Sequence, residues 1–349
     1  MRHLKYFALS LVLISSGLVT AATVASEPGA TRSVAAPSPH DNVALEGFVA
    51  VNGVRLQYLD WQGTGPALIL IHGLGDNPHI FDDLAPALTS RFHVIAYARR
   101  GSGGSDVQGP YDTDNLVRDL LGLMNALRIQ KASLVGASAG GDEITAMAGG
   151  HPERVERIIY LDGGYDPADP DFKPLAQALP VLYFDPPANA MTSLEAFRAY
   201  QKTMMYPTLD DIRRVDANLR ERVVIQSDGT LQYRIPKEVI GAMYSALWTN
   251  KPRDYSRVQC PALAIFATNL YDMHMPDPKW RAELQAYEEK YWQPFQAKSI
   301  ARVHQELPGV KIVHVPGSHG SFFLTDRQEV VSLMQNFLSQ PQSTHLTRR

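Results

Sequence analysis

The chain has 349 residues, 45% of them hydrophobic and 20% charged, with a formal net charge of -3. That is apolar material for one large core without a basic footprint, so nucleic-acid binding is disfavoured. Cys260 is the sole cysteine, which excludes an internal disulfide and a thiolate metal cluster. In chain order, Arg2 and Lys5 precede the apolar run Tyr6 to Ile14, and the small residues Thr20 to Ala25 follow. Charge, short apolar core and small residues in that order read as a secretory signal peptide over residues 1–25. The core is short for a membrane span, so no stable membrane insertion is expected after processing. Residues 26–44, rich in Ser, Pro and Ala, read as a flexible spacer before a domain over 45–340.

That domain opens with alternating strands at Gly47 to Asn52 and Val54 to Trp61 around Asn52-Gly53, a hairpin signal. Further strands are expected at Ala67 to Ile71, Phe92 to Ala98, Lys131 to Ala137, Arg157 to Leu161, Ala262 to Phe266 and Lys311 to Pro316. Helices are expected at Ile80 to Leu88, Thr113 to Leu127, Asp142 to Gly149, Asp277 to His304 and Arg327 to Leu338. Between Tyr165 and Val258 the strand rhythm stops, and helical segments such as Ser193 to Met204 and Leu209 to Arg222 appear among proline-rich turns.

The most informative stretch is Leu134-Val135-Gly136-Ala137-Ser138-Ala139-Gly140-Gly141, an apolar run that stops at a serine boxed in by tiny residues and is followed by a helical segment. A nucleophile at the tip of a sharp strand-to-helix turn needs positive φ and neighbours too small to clash. Ala67 to Ile71 likewise ends in His72-Gly73-Leu74-Gly75, a turn whose backbone N–H groups can face a developing oxyanion. The loop Arg100-Gly101-Ser102-Gly103-Gly104-Ser105-Asp106 follows the strand ending at Ala98, and Gly317-Ser318-His319-Gly320 follows the last strand.

These ordered motifs resemble the α/β-hydrolase superfamily from about Leu45 to Leu338. The resemblance implies an α/β fold with a mostly parallel eight-stranded sheet flanked by helices, and a helical cap over 165–258 inserted after strand 6. It implies Ser138 as nucleophile, His319 as general base, and the N–H groups of Leu74 and Ala139 as oxyanion hole. The acid is expected a few residues beyond the strand Ala262 to Phe266, which favours Asp272. Asp162, at the end of the preceding strand, is the alternative acid, with Asp277 and Asp166 behind it. A serine nucleophile argues against the dehalogenase and epoxide hydrolase branches, which attack through a carboxylate.

The expected reaction is hydrolysis of a carboxylic ester through an acyl-enzyme on an exported protein, with a small-molecule ester as partner and no cofactor. Aminopeptidase or amidase, lactonase, C–C hydrolase and cofactor-free haloperoxidase-like activities remain open on the same residues, as does a non-catalytic binding protein on the same scaffold. Met191, Met204, Met205, Tyr206, Met243, Tyr244 and Trp248 are candidate apolar walls for the acyl group. His72 is expected to be structural, and Asp142 and Glu143 to complement a helix N-terminus. One histidine between Asp272 and two methionines at 273–275 makes a poor metal cage, so no metal is expected. Oligomeric state is not legible in these residues.

Overall fold

The computed structural model describes residues 43–178, 186–307 and 309–341. The expected signal peptide and nearly all of the spacer lie outside the described residues. Leu45–Val51 (β1) and Val54–Gln62 (β2) pair antiparallel across Asn52-Gly53, whose φ values of 49° and 76° suit a primed two-residue turn. Ala67–Ile71 (β3) and His93–Tyr97 (β4) follow, then the helix Thr113–Ala126 (α1), capped where Asp112 accepts from the Asn115 N–H at 3.0 Å. Ala132–Ala137 (β5) leads into Gly140–Gly150 (α2), and Val155–Leu161 (β6) closes the first half.

Between β6 and the next sheet strand lie Phe172–Ala178 (α3), Leu194–Met204 (α4), Asp216–Glu221 (α5), the small hairpin Val223–Ile225 (β7) with Leu231–Tyr233 (β8), and Lys237–Thr249 (α6). This is the helical cap. Ala262–Asn269 (β9), Pro278–Tyr287 (α7), Gln293–Glu306 (α8), Lys311–Ser318 (β10), Phe322–Thr325 (α9) and Arg327–Leu338 (α10) complete the fold.

The eight-stranded sheet has the order β1-β2-β4-β3-β5-β6-β9-β10, with β2 antiparallel to both neighbours and every other pair from β4 to β10 parallel. Parallel strands need both faces covered, and their sequences accordingly read as unbroken apolar runs. On β3, Ile69 and Ile71 enter one core while Leu68 and Leu70 enter the other, all four with no exposed surface. On β9, Ala264 and Phe266 divide from Leu263 and Ile265 in the same way. Leu123, Met147 and Phe295 cover the first face, whereas Phe81, Phe197 and Met334 cover the second. Each such fully buried side chain stabilises the fold by about 1.5–3 kcal/mol before entropy is counted.

Three expected helices take another form. Ile80 to Leu88 is two 3-10 turns, Pro78–Phe81 and Ala85–Leu88, the second with Pro86 in its first turn, where no N–H is needed. Leu209 to Arg222 is a 3-10 turn at Ile212–Val215 followed by the short α5. Asp277 to His304 is α7 and α8 joined by a π turn at Glu288–Trp292, where Pro294 cannot donate to an α-helical acceptor.

Candidate active site

Ser138 stands directly beyond β5 with φ 48°, in the left-handed region that a side chain occupies only under strain of about 1–3 kcal/mol. Asp162 stands directly beyond the neighbouring β6 with φ 45°, so the two strand tips carry matching strained turns. The Ser138 N–H donates to the Leu161 carbonyl at 3.1 Å, and the Asp162 N–H to that of Ile265 at 2.7 Å. The turns nest against each other: a Cβ on Gly163 would lie 2.6 Å from the Gly136 carbonyl oxygen. Only glycine fits there.

His319 follows β10 and is tethered by its own N–H, which donates to the Asn269 carbonyl at 2.9 Å. Its Nδ1 lies 2.6 Å from Asp162 Oδ2 and its Nε2 lies 2.8 Å from Ser138 Oγ. A carboxylate can only accept, so Nδ1 carries the proton and Nε2 is left to accept from the serine hydroxyl. Asp162 is fully buried, and its other oxygen accepts from the Tyr165 hydroxyl at 2.5 Å and the Ala267 N–H at 3.1 Å.

The geometry brings the alternative carboxylate, Asp162, and not the favoured Asp272, against His319. Asp272 does not reach His319; its Oδ2 accepts from the Thr208 hydroxyl and N–H, and its Oδ1 from the His274 N–H at 2.9 Å. β9 runs on to Asn269, and its tip supplies backbone partners to Asp162 and His319 instead of a carboxylate. Asp277 caps α7, accepting from the Lys279 N–H at 2.8 Å. Asp166 accepts from Arg302 at 2.6 Å and from the Arg253 N–H at 3.0 Å. The sequence signal for the alternative is Asp162-Gly163-Gly164 at the end of a buried run, which resembles the small-residue setting of Ser138.

The turn after β3 lies against Ser138. A Cβ on Gly73 would meet Ser138 Cβ at 3.1 Å and Ser138 Oγ at 3.6 Å, and Leu74 is the next residue of that turn. His72 is occupied on both sides, with Nδ1 donating to the Gly73 carbonyl at 2.7 Å and Nε2 accepting from the Arg99 N–H at 3.2 Å. Burial, reinforced by the Arg99 charge, pushes its pKa down to about 3, so it stays neutral and fixes the turn.

Asp142 and Glu143 do more than complement the start of α2. Asp142 pairs with Arg253, which also donates to the Gly163 carbonyl. Glu143 accepts from the Tyr97 hydroxyl, with Arg99 Nε 3.2 Å away. Burial lifts Glu143 to about 7 against the opposing pull of Arg99. Sequence patterning alone does not reveal this buried network, since its partners come from four separate elements. Met243 and Leu247 of α6 close over Leu74, Arg99 and Asp142 around a cavity of about 10 Å³, the size of a single water. Met243, Leu247 and Tyr206 are packed in the core. Among the described residues no three His, Cys, Asp or Glu side chains are grouped to hold a metal, and no helix is long and apolar enough to cross a membrane.

A family model for the alpha/beta hydrolase fold matches residues 66–204. A putative carbamate hydrolase, RutD, of Caulobacter segnis is 30% identical over 201 residues, covering 56% of this chain and 71% of that protein. The chain belongs to the α/β-hydrolase superfamily. RutD of a second Caulobacter strain is 26% identical over 79% of this chain and 93% of its own length. The bifunctional epoxide hydrolase 2 of Sus scrofa is 31% identical over 48% of this chain, which spans only 34% of that longer protein. Among solved structures, E-2-(acetamidomethylene)succinate hydrolase superposes with a TM-score of 0.66 at 21% identity, over 85% of this chain and all of the other. This α/β hydrolase thus has a mostly parallel eight-stranded sheet flanked by helices.

Proposed function

We propose that this α/β hydrolase cleaves a carboxylic ester by acyl transfer from substrate to Ser138 and then to water. The observation that carries the reading is the unbroken series of hydrogen bonds from Ser138 Oγ through the His319 ring to Asp162. As Oγ attacks the carbonyl carbon, His319 Nε2 takes its proton, and the buried Asp162 carboxylate stabilises the imidazolium. The N–H groups of Leu74 and Ala139 serve as the oxyanion hole for the tetrahedral intermediate. The imidazolium returns the proton to the leaving alcohol. Water deprotonated by the same ring then releases the acid. A serine at 138 favours this route over epoxide opening, and no cofactor enters it.

A carbamate or amide is the second reading, favoured by the similarity to RutD. Purified protein assayed on p-nitrophenyl esters of graded length, a p-nitrophenyl carbamate and aminoacyl anilides separates the two. Ester turnover is expected to exceed carbamate and anilide turnover by at least tenfold, and the opposite order would replace the ester with the carbamate or amide. We also propose that the protein is exported, on the charge and apolar pattern of residues 1–25. Sequencing of secreted or periplasmic material is expected to begin between Ala22 and Glu27, whereas recovery only as a membrane-bound chain starting at Met1 would overturn cleavage.

A further inference from the structure

Asp162 is held from behind by a polar network that the acyl-transfer steps do not use. The Tyr165 hydroxyl donates to Asp162 Oδ1 at 2.5 Å. The Gln296 amide nitrogen of α8 lies 2.9 Å from the Tyr165 oxygen and 2.9 Å from the Ala267 carbonyl oxygen. A carbonyl can only accept, so the amide end facing Ala267 must be the NH2 group, and its second hydrogen goes to the phenol. That leaves the phenol's single proton for the carboxylate. Burial, with the Asp162 charge, holds the Tyr165 pKa well above its usual value and keeps that proton in place.

The aromatic packing fixes the same direction. Tyr165 meets Trp292 edge to face with ring centres 4.7 Å apart, and Trp292 meets the His319 ring edge to face at 5.9 Å. The π turn between α7 and α8 sets the phase of this face. Glu288, Trp292, Gln296, Ser299 and Val303 form one buried stripe toward the site. A π turn inserted within a helix shifts all later side chains around the axis, a device common at functional sites.

On the reading of Ser138, His319 and Asp162 as a triad, we infer that Tyr165 and Gln296 are positioning residues, which assign Asp162 Oδ1 to the phenol and reserve Oδ2 for His319. Without the phenol, Oδ1 keeps only the Ala267 N–H, and the carboxylate is free to rotate and share both oxygens with the imidazole. Its negative charge, no longer spread onto the phenol, then favours the imidazolium. His319 would hold its proton to higher pH, which removes the base over part of the working range.

The test compares wild type, Tyr165→Phe and Gln296→Met by the second-order rate of fluorophosphonate labelling from pH 5 to 9, and by kcat and KM on the best p-nitrophenyl ester. Tyr165→Phe is expected to lower the plateau rate about tenfold, in line with the loss of a hydrogen bond to a charged group. Its acid limb should move up by about half a pH unit, with KM within about twofold of wild type. Gln296→Met should shift the profile in the same direction by less. Asp76 and Glu288 also couple to His319 electrostatically, and burial lifts Glu288 to about 7. Both are common to all three proteins, so the difference between profiles reads the phenol. Unchanged rates and profile in Tyr165→Phe would overturn the inference while the triad stands. A wild type that takes no label would sink the triad and the inference together. If Tyr165→Phe fails to fold, Gln296→Met decides, and a wild-type profile there overturns the inference.

Discussion

Ser138→Ala is expected to abolish fluorophosphonate labelling and to lower ester turnover by about three to six orders of magnitude. Alanine keeps the Cβ, so the variant retains the same strained φ of 48° and the same contact with Gly73. What it loses is the one oxygen placed 2.8 Å from His319 Nε2. The turn at Gly73 survives, and the small residual rate measures binding and oxyanion stabilisation acting on water-borne attack. Mass spectrometry of the labelled wild-type peptide should place the adduct on Ser138. Full labelling or wild-type turnover in the variant would move the nucleophile elsewhere.

Asp162→Asn is expected to cost about ten-thousandfold in kcat, the size of the effect that a wrong histidine tautomer produces. The geometry says why the substitution should be so severe. Both donors on the Oδ1 side, the Tyr165 hydroxyl and the Ala267 N–H, require an acceptor, so an asparagine must place its carbonyl oxygen there. Its NH2 group then faces His319 Nδ1, which has to accept. The ring proton is driven to Nε2, where it confronts the serine hydroxyl. Asp272→Asn, at a carboxylate that ties Thr208 and His274, is expected to leave kcat within about threefold of wild type. Circular dichroism of both variants checks that they are folded, and the reverse ranking would return the acid to the loop after β9.

The strands were legible because parallel sheet interiors write themselves as apolar runs, and Ser138 and His319 were legible because each follows such a run within glycine-rich sequence. The choice between Asp272 and Asp162 as the partner of His319 was not, for a reason of adjacency. β9 is the strand after the cap, yet its tip reaches Asp162 and His319 through the backbone of Ala267 and Asn269, which sequence does not advertise. The split between α7 and α8 is written at Pro294, but choosing a π turn over a break needs the buried stripe that only packing supplies. The hairpin of β7 and β8 escaped because three residues a side are too few to display a period.

Ser138 and Asp162 end neighbouring strands whose ladder pairs Gly136 with Tyr160 and Ala137 with Leu161. Their separation is thus set by main-chain hydrogen bonds at the centre of the sheet. The loop after β9, in contrast, is fastened to the cap, since Asp272 grips Thr208. Seated directly beyond β6, Asp162 takes its spacing from Ser138 out of that same ladder, the two standing like jaws cast in one block.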